Sequence, residues 1–158
     1  MSRAVTAAKR SVGDRITLVG YSGGGVIVAL LASRRSDVDR LITIAAPLDT
    51  KTWAEYHGVS PLQASLNPLA SVSATGSVRE FHFHGGRDQT VPPEAIKRYI
   101  RQAAREGVRF FMITEYDHGC CWVRDWPTLL AMTDARGRSS RSPVGVKPPR
   151  LSIDAVKQ

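Results

Sequence analysis

Hydrophobic and polar residues alternate along the first 130 positions in the blocks expected of a repeating strand–helix chain. Short β-branched runs predict buried strands, and the longer apolar or amphipathic stretches between them predict helices. The predicted strands are residues 16–19, 41–46, 79–84 and 108–114. The predicted helices are residues 3–12, 26–33, 94–106 and 122–132. This alternation is typical of an α/β fold with a mostly parallel sheet and flanking helices.

Two segments break the pattern. Between Pro47 and Gly76 there is no clean periodicity, which predicts loops and short helices. After residue 132, six of the 22 lysines and arginines fall in the last 25 residues, among serines, prolines and glycines. We therefore predict an α/β domain over residues 1–132 and a basic, disordered tail over residues 133–158.

The net charge of +8 says little about the function of the α/β domain, because half of it lies in that tail. Charge alone could draw the tail to RNA or anionic lipid, but no specific nucleic-acid partner is expected. The longest apolar run, residues 26–32, is far shorter than the roughly 20 residues of a membrane span. No secretory signal follows Met1, which indicates a cytoplasmic protein if Met1 is the true start.

The cysteines Cys120 and Cys121 are adjacent and too few for a disulfide framework or a zinc site. They cannot close an ordinary loop with each other, so the sequence favours two buried small side chains. No histidine, cysteine and carboxylate cluster has metal-ligand spacing. We therefore expect neither a metal nor a cofactor.

The turn after the first strand is rich in glycine and reads GYSGGG. The dinucleotide pattern GxGxxG does not fit it, and a phosphate loop would need lysine where Val26 stands. The pattern GxSxG does fit, with Ser22 at its centre between a strand and a helix. Small residues two positions before and after the serine allow a sharp turn that lifts its oxygen above the sheet.

A nucleophilic serine needs a base, and the chain has four histidines. His57 lies in the irregular segment without an obvious partner. His82 and His84 alternate with phenylalanines on one strand, which is typical of histidines packed against a sheet. His118 follows the last predicted strand, so it reaches the same sheet edge as Ser22.

A base in turn needs a carboxylate to orient it. Asp88 follows the third strand, which completes the chain order Ser, Asp, His at one sheet edge. Asp49 and Asp117 are rival acids. Asp49 follows a different strand, and Asp117 adjoins the histidine itself.

The segments LVGYSGGG, HGGRDQTVPPE and YDHGCCW resemble those of α/β-hydrolase-fold serine hydrolases of the bacterial esterase or lipase type. The resemblance covers about residues 16–130. It implies that Ser22 is the nucleophile, His118 the general base and then acid, and Asp88 the residue that orients His118. The backbone N–H of Gly23 would be one oxyanion donor.

The resemblance also implies the class of substrate. A small-molecule carboxylic ester is expected, although an amide or peptide would use the same machinery. The irregular segment occupies the place of a lid or pocket cap in this family, so Trp53 and Tyr56 are candidates for substrate contact, and Tyr21 is a further candidate. The two residues of the irregular segment could equally just cover the sheet.

The sequence departs from this family at its start. The full fold has further strands before the one that leads to the nucleophile, whereas here the nucleophile turn follows the first predicted strand. We therefore expect a partial, N-terminally truncated α/β-hydrolase fold in which residues 16–19 form an exposed edge strand, open to self-association. The alternative function is a catalytically incomplete remnant or interaction module that needs a partner or an N-terminal half. A missing N-terminal segment would also allow export.

Overall fold

The computed structural model describes residues 3, 4, 6, 15–60, 65–134 and 151–152. The predicted first helix, residues 3–12, lies mostly outside this part, and its described residues are helical. Most of the predicted tail also lies outside it.

The described strands form one sheet in sequence order. Four of them are parallel, and they are β1 (Ile16–Tyr21), β2 (Val38–Ile44), β3 (Arg79–Gly85) and β4 (Val108–Ile113). A two-residue strand, β5 (Leu151–Ser152), pairs antiparallel with β4. The four predicted strands and the parallel sheet are thus confirmed, and β1 lies at the edge of the described sheet. The short β5 was not predicted, because two residues give no periodicity.

The helices lie between the strands as expected. They are α1 (Gly23–Ala32), α2 (Thr50–Tyr56), α3 (Glu94–Gln102) and α4 (Trp122–Asp134), together with a 3-10 helix at Pro68–Thr75. In its described part, the irregular segment thus holds one short α-helix and one 3-10 helix, in line with the predicted loops and short helices. None of the described helices is long and apolar enough to cross a membrane.

Among the strand ends, the start of β2 differs most from its prediction. The strand begins at Val38 rather than Leu41, so it includes the charged pair Asp39 and Arg40. Asp39 forms ion pairs with Arg15, just before β1, and with Arg79 at the start of β3. Neighbouring strands neutralise this charge, which hydropathy along one segment does not reveal.

Two hydrophobic cores cover the two faces of the sheet. Leu18 and Leu41 pack with residues of α1 and α3 on one face. Ile42 and Ile44 pack with residues of α4 on the other. Because both faces are covered, the centres of β2 and β4 are largely apolar.

Candidate active site

Ser22 occupies a sharp turn between the last residue of β1 and the first residue of α1. Its φ is 51°, a left-handed conformation that non-glycine residues rarely adopt. The Ser22 N–H donates to the carbonyl of Ile44 at the end of β2, at 2.8 Å. The turn is therefore tied to the neighbouring strand, and the Ser22 side chain stands at the carboxyl edge of the sheet.

The glycines of the turn differ in what they make possible. A Cβ on Gly20 would lie 2.5 Å from the carbonyl oxygen of Gly24 and from a methyl of Val28. A Cβ on Gly25 would collide with the methyl of Ala46, whereas one on Gly24 would meet nothing within 4 Å. The sterically required positions are thus Gly20 and Gly25, and the expected need for a small residue at Gly24 is not borne out.

Ser22, His118 and Asp88 lie in a continuous hydrogen-bonded row. His118 Nδ1 is 2.9 Å from Asp88 Oδ2, and His118 Nε2 is 3.1 Å from Ser22 Oγ. Because a carboxylate only accepts, Nδ1 carries the proton and donates to Asp88, which leaves Nε2 free to accept from the Ser22 hydroxyl. This arrangement can take a proton from the serine as its oxygen attacks an electrophile.

The Asp88 carboxylate is fixed by its own loop. Its other oxygen, Oδ1, accepts from the backbone N–H groups of Thr90 and Val91, at 3.0 and 2.8 Å. The side chain of fully buried His84 donates through Nε2 to the carbonyl of Val91 at 3.0 Å. Burial lowers the pKa of His84, so this imidazole stays neutral and serves to anchor the loop. Its Nδ1 has no hydrogen-bond partner in the described structure.

Helix α2 also supports the Asp88 loop. The indole N–H of Trp53 and Nε2 of His57 both donate to the carbonyl of Thr90, each at 2.8 Å. His57, which had no evident partner in the sequence, thus contacts a residue 33 positions away. Tyr56 is 55% exposed, with its ring edge against His57. In the described structure Trp53 thus bonds to the Asp88 loop and Tyr56 packs against His57. The contact of these two residues with a substrate stays a prediction.

The two rival acids have other partners. Asp49 is fully buried and accepts from Thr52, Asn67 and Arg98. Burial alone would raise the pKa of Asp49, but the bonds from Thr52 and Asn67 and the Arg98 charge hold it below its ordinary value. Asp117 accepts from the N–H groups of Gly119 and Cys120 in its own turn. Asp88 is the carboxylate that meets His118.

The backbone of His118 is held by two side chains. The Tyr21 hydroxyl donates to the His118 carbonyl at 2.7 Å, and the Trp122 indole N–H donates to it at 2.9 Å. Trp122 is a site residue that the sequence reasoning missed, although its position four residues after His118 in the quoted segment was a usable signal. The N–H of Gly23 lies at the first position of α1, where amides have no partner within the helix.

The expectation for the cysteines is wrong. Cys120 and Cys121 are half-buried and bonded to each other, with a cis peptide between them. A bridge between neighbours closes only a small ring around one peptide bond, which a prediction based on loop-closing bridges does not cover. In the described ranges, no group of three or more histidines, cysteines or carboxylates is placed to hold a metal ion.

Several solved structures share this architecture. The esterase domain of a Rhodothermus marinus protein is 22% identical and superposes with a TM-score of 0.64 over 84% of this chain. A Pyrococcus furiosus esterase is 15% identical with a TM-score of 0.67, also over 84%. The mouse α/β-hydrolase domain-containing protein 10 is 16% identical with a TM-score of 0.59 over 84%. The chain has an α/β-hydrolase fold.

The chain spans only part of these α/β hydrolases. It covers 66% of the Rhodothermus domain, 58% of the Pyrococcus esterase and 66% of the mouse protein. Comparison with protein-family models and with curated proteins gives no match. At such low identity the likeness shows the fold alone.

Proposed function

We propose that this protein is a serine hydrolase that cleaves a carboxylic ester through an acyl-enzyme intermediate. The observation that carries the proposal is the row from Ser22 Oγ through the His118 imidazole to the Asp88 carboxylate, with contacts of 3.1 and 2.9 Å. The three residues come from three different strand ends, and their meeting in this order has no evident structural purpose. Such a row recurs on unrelated folds as the machinery of acyl transfer.

In the proposed mechanism each of these residues has one role. Ser22 Oγ attacks the ester carbonyl while His118 Nε2 takes its proton, and the Asp88 carboxylate stabilises the imidazolium through Nδ1. The N–H of Gly23 donates to the tetrahedral oxyanion. As the intermediate collapses, His118 returns the proton to the leaving alkoxide and the acyl group stays on Ser22. Water then attacks the acyl group on Ser22 while His118 again takes and returns a proton, which releases the acid and restores the serine.

An ester is the proposed substrate for two reasons. The hydrogen-bonded Ser22, His118 and Asp88 fit acyl transfer from an ester, and two of the similar structures carry the name esterase. An alkoxide is a better leaving group than the nitrogen anion that an unprotonated amide would release, so ester cleavage depends less on proton donation by His118. The same residues would also cleave an activated amide. Paired p-nitrophenyl ester and p-nitroanilide substrates with one acyl chain distinguish the two activities.

Labelling with a fluorophosphonate, read by intact mass, tests the proposed nucleophile. We expect one adduct on the parent chain and none on Ser22→Ala, with ester turnover lowered by at least about 10⁴-fold. Ser73→Ala is the matched control, because Ser73 is an exposed serine of the 3-10 helix. It should label and turn over like the parent.

Two results would contradict the proposal. An adduct that survives in Ser22→Ala would place the reactive group elsewhere. A folded parent that takes up no adduct and hydrolyses no ester would favour the alternative, a module that is catalytically incomplete by itself. Circular dichroism of both samples separates this second case from misfolding.

A further inference from the structure

His118 lies in a segment without regular secondary structure, between the end of β4 at Ile113 and the start of α4 at Trp122. A general base must stay aligned with its nucleophile to within a few tenths of an ångström. The bonds from its imidazole to Asp88 and Ser22 orient the ring only while the backbone below it is fixed. The backbone of this loop therefore needs its own restraint.

The structure supplies that restraint at a single atom. The carbonyl oxygen of His118 accepts from the Tyr21 hydroxyl at 2.7 Å and from the Trp122 indole N–H at 2.9 Å. A carbonyl has two lone pairs, and here each one has a side-chain donor. Trp122, the first residue of α4, is 5% exposed in the core, whereas Tyr21 is 44% exposed at the sheet edge. The loop is thus held from both sides.

Tyr21 differs from Trp122 in its place in the chain, because it immediately precedes Ser22. Its ring also contacts the His118 imidazole, with ring centres 5.1 Å apart. One side chain therefore connects the turn that carries Ser22 to both the backbone and the ring of His118. A shift of one loop relative to the other would have to break this connection.

The Tyr21 hydroxyl keeps its proton under ordinary conditions. Partial burial and the nearby negative charges of Asp88 and Asp117 raise the pKa of Tyr21. A neutral phenol can donate a hydrogen bond, and the His118 carbonyl, which also accepts from Trp122, can only accept.

We propose that Tyr21 is a positioning residue of this site, whose hydroxyl holds the His118 backbone so that Nε2 stays aimed at Ser22. The inference rests on the proposed serine hydrolysis for its catalytic consequence. It replaces the substrate contact expected of Tyr21 from the sequence with a contact to the base.

The test compares Tyr21→Phe, which removes only the hydroxyl, with the parent and with Tyr99→Phe. Tyr99 is buried on α3 and donates to Glu80, so its variant loses a tyrosine hydrogen bond away from His118. The measurements are the rate of fluorophosphonate labelling, kcat and KM for p-nitrophenyl butyrate, and NMR relaxation of the His118 ring. We expect Tyr21→Phe to slow labelling and lower kcat by roughly 10-fold with KM unchanged, and to increase the motion of the ring. Tyr99→Phe should lower stability and leave all three measurements near parental values.

Three results would overturn the inference. The first is an unchanged labelling rate and ring motion in Tyr21→Phe. The second is a raised KM with kcat preserved in that variant, which would mean substrate contact. The third is an equal loss in Tyr99→Phe, which would mean general destabilisation. The NMR measurement keeps the inference separate from the proposed function. If the parent takes up no label and yet Tyr21→Phe loosens the His118 ring, the positioning contact stands and the hydrolase proposal fails.

Discussion

Ser22 illustrates how a single residue is forced into an unusual backbone conformation. A positive φ costs a non-glycine residue about 1–3 kcal/mol, so the surroundings must hold it there. At Ser22 they do so through the bond from its N–H to Ile44 and through the packing of α1 directly on β1. This close packing is possible because Gly20 has no side chain where the Gly24 carbonyl passes.

The two outer glycines of GYSGG should therefore respond differently to substitution. Gly20→Ala places a methyl 2.5 Å from the backbone oxygen of Gly24, which cannot move without shifting α1. We expect it to lower the free energy of unfolding by roughly 2 kcal/mol or more. Gly24→Ala meets open space in the first turn of a helix, and should leave stability unchanged or raise it by up to about 1 kcal/mol. Urea unfolding of both variants checks this, and equal losses would refute the steric account.

At the scale of elements, a buried polar network joins β3 to its neighbours. Glu80 of β3 is fully buried and accepts from His82, Tyr99 and Arg105, the last at 2.6 Å. His82 also bonds to the hydroxyl of Thr43 on β2, at 2.7 Å. The network therefore connects β2, β3, α3 and the turn that follows α3. A charge buried this deeply is tolerable only because each carboxylate oxygen has donors.

This network predicts a loss of stability in acid. Burial by itself raises the pKa of Glu80, but the His82 contact and the bonds from Thr75 and Arg105 outweigh it and lower the pKa to about 2. A carboxyl whose pKa is lower in the folded state stabilises the fold above its unfolded pKa, here 4.5. That contribution, about 3 kcal/mol, is lost as the pH falls from about 4.5 to about 2.

The measurement is urea unfolding of the parent and Glu80→Gln across this pH range. The stability gap between them should be largest at neutral pH and shrink steadily below pH 4.5, because the parent carboxyl then becomes neutral as well. Glu106→Gln removes an exposed carboxylate from the turn that follows α3, next to Arg105, and controls for the loss of one negative charge. A gap that stays constant down to pH 3 would show that the Glu80 charge does not contribute in this way.

The elements show where sequence reasoning succeeds and where it stops. Strands such as residues 41–44 could be predicted because both of their faces are covered, which makes the pattern strongly apolar. Local patterns do not contain the partners of a polar residue. Asp39, His57 and Glu80 each meet groups far along the chain, so the start of β2, the role of α2 and the buried network emerged only from the structure.

At the scale of the whole molecule, the candidate site was more predictable than its supports. Ser22, Asp88 and His118 could be brought together from topology alone, because parallel strands deliver their carboxyl ends to one edge. The side chains that hold them there, including Tyr21, Trp53 and Trp122, act through backbone carbonyls, and no residue type marks a carbonyl that will accept. The bond between Cys120 and Cys121 could not be predicted for a different reason, because cysteine spacing indicates only bridges that close longer loops.

The edge of the sheet leads to the last prediction. Ile16 and Ser22 donate their N–H groups toward β2, so the amides of the alternate residues of β1 point away from the sheet. On that strand Val19 and Tyr21 are each 44% exposed, and no described residue pairs with the outer edge.

We expect the protein to self-associate through β1 with rising concentration. Val19→Lys should prevent this self-association, because a lysine on an edge strand opposes pairing. Val123→Lys, at a valine 91% exposed on α4, should associate like the parent. Sedimentation velocity over a concentration series measures all three, and a parent that remains monomeric throughout would show that this edge does not recruit a second copy.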